Sequence, residues 1–275
     1  RHFFPWWMEE AYTAAEVPVS ALTDDERRLV RQHGLSPGQI GYRRQILTNF
    51  RGLAQQEYAE DPESCFLASG SCYFYAPGID ARLRELPDLT SSSIDGDLQT
   101  WLVPQPGVDY LVAVDPAGGG TDGDFAAVQV IEVKSGLQCA ELRTQLTPTE
   151  MVPALVRLAR SYNDALLVVE RNNHGAAVLA LLDSQQYQPV YQQRGKPGWL
   201  TNSVTRPDML GMLHAALSET PHLFSSQRLL RECRSFIRTA NGRMEARAGE
   251  HDDCVMAMAI ALAARDERLT GKALQ

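Results

Sequence analysis

From Cys254 to Ala264 the chain reads CVMAMAIALAA, eleven consecutive residues without a polar side chain. Wound into a helix, such a run is apolar on every face, so other elements must enclose it. It is too short to cross a bilayer, which takes about 20 residues, and the expectation is a buried helix in a soluble fold. His251-Asp252-Asp253 stands immediately before it. Burying the helix therefore carries two carboxylates toward the low-dielectric interior.

Two other apolar segments also end on an acid. In LVAVDPAGGGTDGDFAAVQV, residues 111–130, Leu111 to Val114 runs into Asp115 and then a glycine-rich loop, and Ala165 to Val169 is an unbroken apolar run that ends on Glu170. The second has the character of a parallel strand covered on both faces. If the two strands are neighbours, their C-terminal ends lie together at the edge where open α/β sheets bind ligands. Asp115, Glu170, Asp252 and Asp253 would then share one cleft, each raising its neighbour's pKa. Hard divalent cations such as magnesium and manganese relieve that conflict, because they favour carboxylate oxygens. Each acid also has a plainer reading. Asp115 can open a turn before Pro116, Glu170 can be a solvated strand end, and Asp252 or Asp253 can cap the last helix and answer its dipole. Those readings leave the apolar flanks of Asp115 and Glu170 unaccounted for.

The remaining signals give an α/β order. Thr23-Asp-Asp-Glu26 is a capping box for a helix that Gly34 can end, and Ser36-Pro37-Gly38-Gln39 opens a second helix with Pro at its first position. Residues 57–71 read as a loop around a brief helix, and the turn-rich stretch 87–97 marks a boundary between a smaller, mostly helical segment, 1–97, and a second domain, 98–275. There, Leu111–Val114, Ala126–Val133 and Leu137–Leu142 suggest an antiparallel meander. A capping box at Thr147 opens a helix in which Pro153 can introduce a bend. The strand ending on Glu170 is followed by a helix from Ala176 to Asp183, a short strand Pro189–Tyr191, helices from about Arg206 to Ser218 and from Gln227 to about Arg238, and the last helix from Asp253. The fold class is thus a mixed sheet, antiparallel meander plus parallel strands, flanked by helices.

Composition narrows the function. A formal charge of −8 opposes an overall nucleic-acid footprint, so any DNA contact must be local. Five cysteines, Cys65, Cys72, Cys139, Cys233 and Cys254, form no C-x-x-C pair and read as reduced thiols of a cytoplasmic protein. Because the chain starts on Arg1 without signal-peptide order, it reads as a piece of a longer polypeptide. In the helix after Ser226, Arg228, Arg231, Arg234 and Arg238 would share one face opposite Leu229, Leu230, Cys233, Phe236 and Ile237. Arg243 and Arg247 follow, and Arg194 and Lys196 lie in QQRGKPGW. These are the candidate DNA-contacting cations; a solvated face or exposed loop is the alternative.

The motifs VAVDPAGGGTDGDFAAVQV, LLVVERNNHG, GWLTNSVTRPDML and EHDDCVMAMAIALA, in that order, resemble the nuclease domain of the large terminase subunit of tailed bacteriophages, a ribonuclease H-like fold. FFPWW, the stretch 39–44 and QEYAEDPESCFLASGSCYF are similar to the segment that follows the ATPase core in that family. The packaging ATPase has a phosphate-binding loop; no G-x-x-x-x-G-K-[ST] occurs here, so no ATP hydrolysis is expected. The resemblance implies metal-binding and catalytic roles for Asp115, Glu170 and Asp253, with Asp252 and Asp124 as additional ligands. It further implies Mg2+ or Mn2+, two ions about 3.5–4 Å apart, one activating water for in-line attack on phosphorus and one stabilising the departing 3′ oxygen. His251 can orient a ligand or move a proton, or be a structural histidine, as can His174. The implied partners are double-stranded DNA, cut with little sequence preference, a small terminase subunit and a portal ring, in the host cytoplasm and with no membrane. Two other readings remain: a kinase-like phosphate-binding protein of the same core fold, and a non-catalytic docking module of a packaging motor.

Overall fold

A computed structural model describes residues 4–50, 58, 60, 71–93, 97–119, 125–239 and 242–271. The chain divides into two compact units, Arg1–Ser71 and Cys72–Gln275.

In the first unit, helix α1 (Asp24–His33) starts at the Thr23 capping box, where Glu26 N donates to Thr23 Oγ1 and Thr23 N donates to Glu26 Oε2. It ends on Gly34 in the left-handed region, φ 70°, which costs glycine little. Helix α2 (Pro37–Phe50) follows from a similar exchange between Ser36 and Gln39. Trp6, Val17, Leu35, Ile40 and Ile46 form the small core.

The second unit contains helix α3 (Ala76–Arg84) near its start and is built on a six-stranded sheet. Its strands are β1 (Ser91–Ser92), β2 (Leu98–Thr100), β3 (Tyr110–Asp115), β4 (Ala126–Glu132), β5 (Gln138–Thr144) and β6 (Leu166–Val169), in spatial order β1-β2-β5-β4-β3-β6. Only the β3–β6 pairing is parallel. The meander is as expected; the two short strands that extend it, β1 within the turn-rich stretch and β2 just after it, carry no alternation long enough to announce them. Helix α4 (Pro148–Ser161) makes the crossover from β5 to β6, and helix α5 (Gly175–Ser184) follows β6. Residues 189–191 do not form a full strand: Val190 makes a single parallel bridge to Leu167, and Pro189 has no N–H to extend it. Beyond them lies a hairpin of β7 (Gln192–Gln193) and β8 (Lys196–Pro197), and then helices α6 (Thr205–Glu219), α7 (Gln227–Ser235) and α8 (Asp253–Thr270).

Side chains two apart on a strand share a face. Tyr110, Val112, Val114, Val128 and Val130 pack with Met151, Val152 and Leu155 of α4 and Val178 and Leu182 of α5. Leu111, Ala113, Ala127 and Ile131 face the other way, onto α6, α7 and α8. Cys254 through Ala264 are all buried there, and the alanines let the helix approach the strands closely. Among the described residues no helix is long and apolar enough to cross a membrane.

One expected element is shorter than its pattern. The helix after Ser226 ends at Ser235, and Phe236–Arg238 forms strand β9, antiparallel to β10 (Met244–Ala246). Aromatic and β-branched residues at 236 and 237 suit a strand, and the hairpin closes by Thr239 N to Arg243 O at 2.8 Å with Gly242 at φ 82°. Arg238 therefore leaves the helical face on which the spacing placed it, because cross-strand pairing outweighs the helical pattern.

Candidate active site

The β3–β6 register pairs Val114 with Val169, so the next residues, Asp115 and Glu170, stand side by side where both strands end. Glu170 N donates to Val114 O at 2.9 Å and holds that end together. The apolar flanks now have their explanation: they are the interior of two adjacent strands whose last residues emerge together at the sheet edge. Beyond Glu170 the first turn of α5 presses against it, and a Cβ on Gly175 would lie 1.6 Å from Glu170 O. Glycine is required there by close approach.

Helix α8 brings the second pair of acids. The Asp115 carboxyl is pushed well above the usual carboxylate range, first by burial, then by the charge of Glu170 and a hydrogen bond with it, and then by the charges of Asp253 and Asp252. Two adjoining clefts of about 410 and 440 Å³ meet at Asp115, one also lined by Asp253 and His174, the other by Glu170, Asp252, Asn172, Thr201 and Arg206. Four carboxylates from three separate segments therefore line two adjoining clefts that share Asp115. Burial raises Asp252, and Arg206, whose Nη2 is 3.6 Å away, offsets part of the rise. Arg143 reaches Asp253 with Nη2 at 3.9 Å from Oδ2 and Glu232 with Nε at 3.7 Å from Oε1, while its guanidinium lies over the Phe125 ring at 3.5 Å.

Such a donor set, all hard oxygens under mutual repulsion, fits a hard divalent cation. Among the described residues no three His, Cys, Asp or Glu side chains enclose a single point. Magnesium does not need such a cage, since it commonly takes one or two carboxylates and completes its shell with water and phosphate oxygens.

Of the other sequence candidates, His251 sits 3.6 Å from Asp253 through Nδ1 and edge-on to Phe125. His174 lies at the start of α5 against Gly118, where an added Cβ would come within 3.0 Å of its ring. Gly119 is left-handed, φ 74°, and a Cβ there would meet Thr147 N at 2.7 Å. Asp124 and Gly120 lie outside the described residues. The candidate cations divide. Arg228 binds the fully buried Glu141 at 2.8 Å and Arg234 binds Asp80 of α3 at 3.0 Å. Arg247 is half-buried and Arg238 lies over Tyr73, whereas Arg194, Lys196, Arg231 and Arg243 are exposed.

Sequence reasoning missed Arg143, Arg206 and Glu232. Glu232 accepts the N–H groups of Cys254 and Val255 at 2.8 and 3.3 Å, and its carboxyl is pushed up to about 7 by burial, then by Asp253 and Glu141. One signal was available: an acid three residues beyond Leu229 falls on the apolar side of α7. For the two arginines no local pattern exists.

Comparison with known proteins bears on the family and the fold. The profile described as a terminase RNaseH-like domain matches residues 112–265, more than half of the chain. Comparison with curated protein sequences gives no match. Among solved structures, the large terminase nuclease from thermophilic phage G20c with bound cobalt is 22% identical, with a TM-score of 0.54, over 71% of this chain and 97% of that one. The same nuclease with bound magnesium gives 21% and 0.55 over the same shares. The Thermus phage P74-26 large terminase nuclease domain gives 22% and 0.50, over 67% of this chain and 94% of that one. At these identities the likeness is one of fold.

Proposed function

The chain belongs to the family of terminase RNaseH-like domains, and on that premise we propose that it is a divalent-metal-dependent endonuclease that cuts double-stranded viral DNA during genome packaging. The observation that carries this reading is the parallel register that sets Asp115 beside Glu170, with Asp252 and Asp253 lining the two clefts that meet at Asp115. Asp115, Glu170 and Asp253 are the catalytic carboxylates and would hold Mg2+ or Mn2+, two ions in the full site, with Asp252 and Asp124 as further ligands. Bound there, such ions make water a nucleophile at neutral pH and stabilise the charge on the departing 3′ oxygen. A solved structure of the same fold includes a magnesium-bound form.

The protein's own part is placement. Strand ends hold Asp115 and Glu170 on rigid backbone, Gly118 and Gly119 keep side-chain bulk away from the approaching phosphate, and His251 stands where it can orient Asp253. The exposed cations Arg194, Lys196, Arg231, Arg238 and Arg243, and the half-buried Arg247, would contact phosphates and so bind DNA without reading bases. Small terminase and portal are the partners that this role requires.

Incubating supercoiled plasmid with the chain and Mn2+ or Mg2+ tests the proposal. Metal-dependent nicking and linearisation by the parent is expected, with Asp115→Asn and Asp253→Ala slowed by more than about a hundredfold, beyond the loss caused by removing an outer partner of a metal ligand. Cutting that persists in both variants, or with EDTA present, would overturn it.

A further inference from the structure

The first turn of a helix exposes N–H groups that need acceptors, and a residue such as Asp252 at the cap position ordinarily supplies one with its own side chain. In α8 it does not: Asp252 makes no side-chain capping bond. The acceptor comes instead from α7, where Glu232 Oε2 takes both Cys254 N at 2.8 Å and Val255 N at 3.3 Å. Both bonds are buried, and Arg143 sits between Glu232 and Asp253 at 3.7 and 3.9 Å. A carboxylate from another helix thus does the work that the local acids would otherwise do, and the side chains of Asp252 and Asp253 are turned to the cleft.

We propose that Glu232 is a positioning residue of the nuclease site, capping α8 from a neighbouring helix so that Asp253 is held toward the cleft as a cation ligand. This rests on the reading of Asp253 as such a ligand. What the role requires is an acceptor at the full reach of a glutamate side chain. Negative charge at that point is secondary.

Reach and charge separate in two conservative variants of the full chain. Glu232→Gln keeps the length and an acceptor oxygen and loses the charge; Glu232→Asp keeps the charge and is one methylene too short. Mn2+ binding by titration calorimetry on the metal-free proteins should be within about threefold of the parent for E232Q and weakened by about 10–100-fold for E232D, the range for loss of an outer-shell partner. Backbone amide exchange, read without metal, should accelerate at Cys254 and Val255 in E232D and remain slow in E232Q. The opposite ranking, E232D near the parent and E232Q weak, would show that charge and not capping is what matters and would overturn the proposal. Two variants that both bind Mn2+ as the parent does, whatever their melting temperatures, would reduce Glu232 to a structural residue. A parent that takes up no Mn2+ would remove the ligand role of Asp253 itself, and this inference with it.

Discussion

At the scale of single residues, the site is held under electrostatic tension. Asp115 is raised by burial and by three other carboxylates, so its folded pKa lies above its unfolded value near 3.8. Such a group contributes its stability fully below that value and loses it as pH rises through the folded pKa. Metal-free Asp115→Asn should therefore be more stable than the parent at neutral pH, where the parent must either ionise a buried carboxyl beside other acids or hold its proton. The advantage should shrink on acidification toward pH 3.8. Thermal melts of both proteins in EDTA across this range provide the check, and equal melting at pH 7 would mean that the carboxylates do not repel one another. The same substitution should abolish cutting, the usual opposition between stability and a strained functional site. Asp115, Glu170 and the Asp252-Asp253 pair were all legible in the sequence, because each breaks an apolar run. Arg143 was not, because what marks it is the residue opposite, Glu232, over 80 positions away; Glu232 left one local signal, an acid on the apolar side of α7.

At the scale of elements, capping chemistry was readable wherever it is local. The Thr23 box and the Ser36-Gln39 exchange lie where their spacing predicts, and both are closed within four residues. Glu26 does more than close its own box: it also binds Arg44 of α2 through two contacts of 2.8 Å. Its carboxyl is held down, from 4.5 to about 2, mainly by the hydrogen bond from Arg44. With a folded pKa below the unfolded one, this pair stabilises above about pH 4.5 and its contribution is lost as pH falls toward 2. Glu26→Gln should accordingly melt earlier than the parent at pH 7, with the gap closing between pH 4.5 and 2. The effect is modest, because Arg44 is 41% exposed and solvent screens the pair. Helix α7 shows the converse. Its arginine spacing continued smoothly to Arg238, but the element stops at Ser235 because the next three residues find strand partners at Met244–Ala246.

At the scale of the whole molecule, a buried polar chain fastens the helical layer to the sheet. Gln138 Oε1 accepts Ser225 N and Ser226 N at the start of α7, Gln138 Nε2 donates to Gln129 Oε1, Gln129 Nε2 donates to Glu141 Oε2, and Arg228 Nε donates to Glu141 Oε1. Arg228→Ala would leave Glu141 buried beside one amide donor. It should destabilise the protein by about 2–4 kcal/mol in denaturant titration, slightly under the usual cost of breaking a buried pair, because Arg228 itself is partly exposed. Arg243→Ala, on an exposed loop, should alter stability by less than about 0.5 kcal/mol. If Arg243 contacts a phosphate, its loss should lower the salt slope of DNA binding by about one. An Arg243 variant with an unchanged slope would exclude that contact, and an Arg228 variant as stable as the parent would show the network to be dispensable.

By itself the sequence determined which segments must be buried, where strands and helices begin, and which acids end up at the rim of an apolar element. All of these are read within a dozen residues, through side-chain period, caps and turns. Only the tertiary structure decided that β6 joins β3 with Val169 opposite Val114, that α8 takes its cap from α7, and that Arg228 and Arg234 are committed to the carboxylates of Glu141 and Asp80. Those outcomes depend on pairings between distant segments, chosen by the packing of the whole core, and no short window of residues contains both partners.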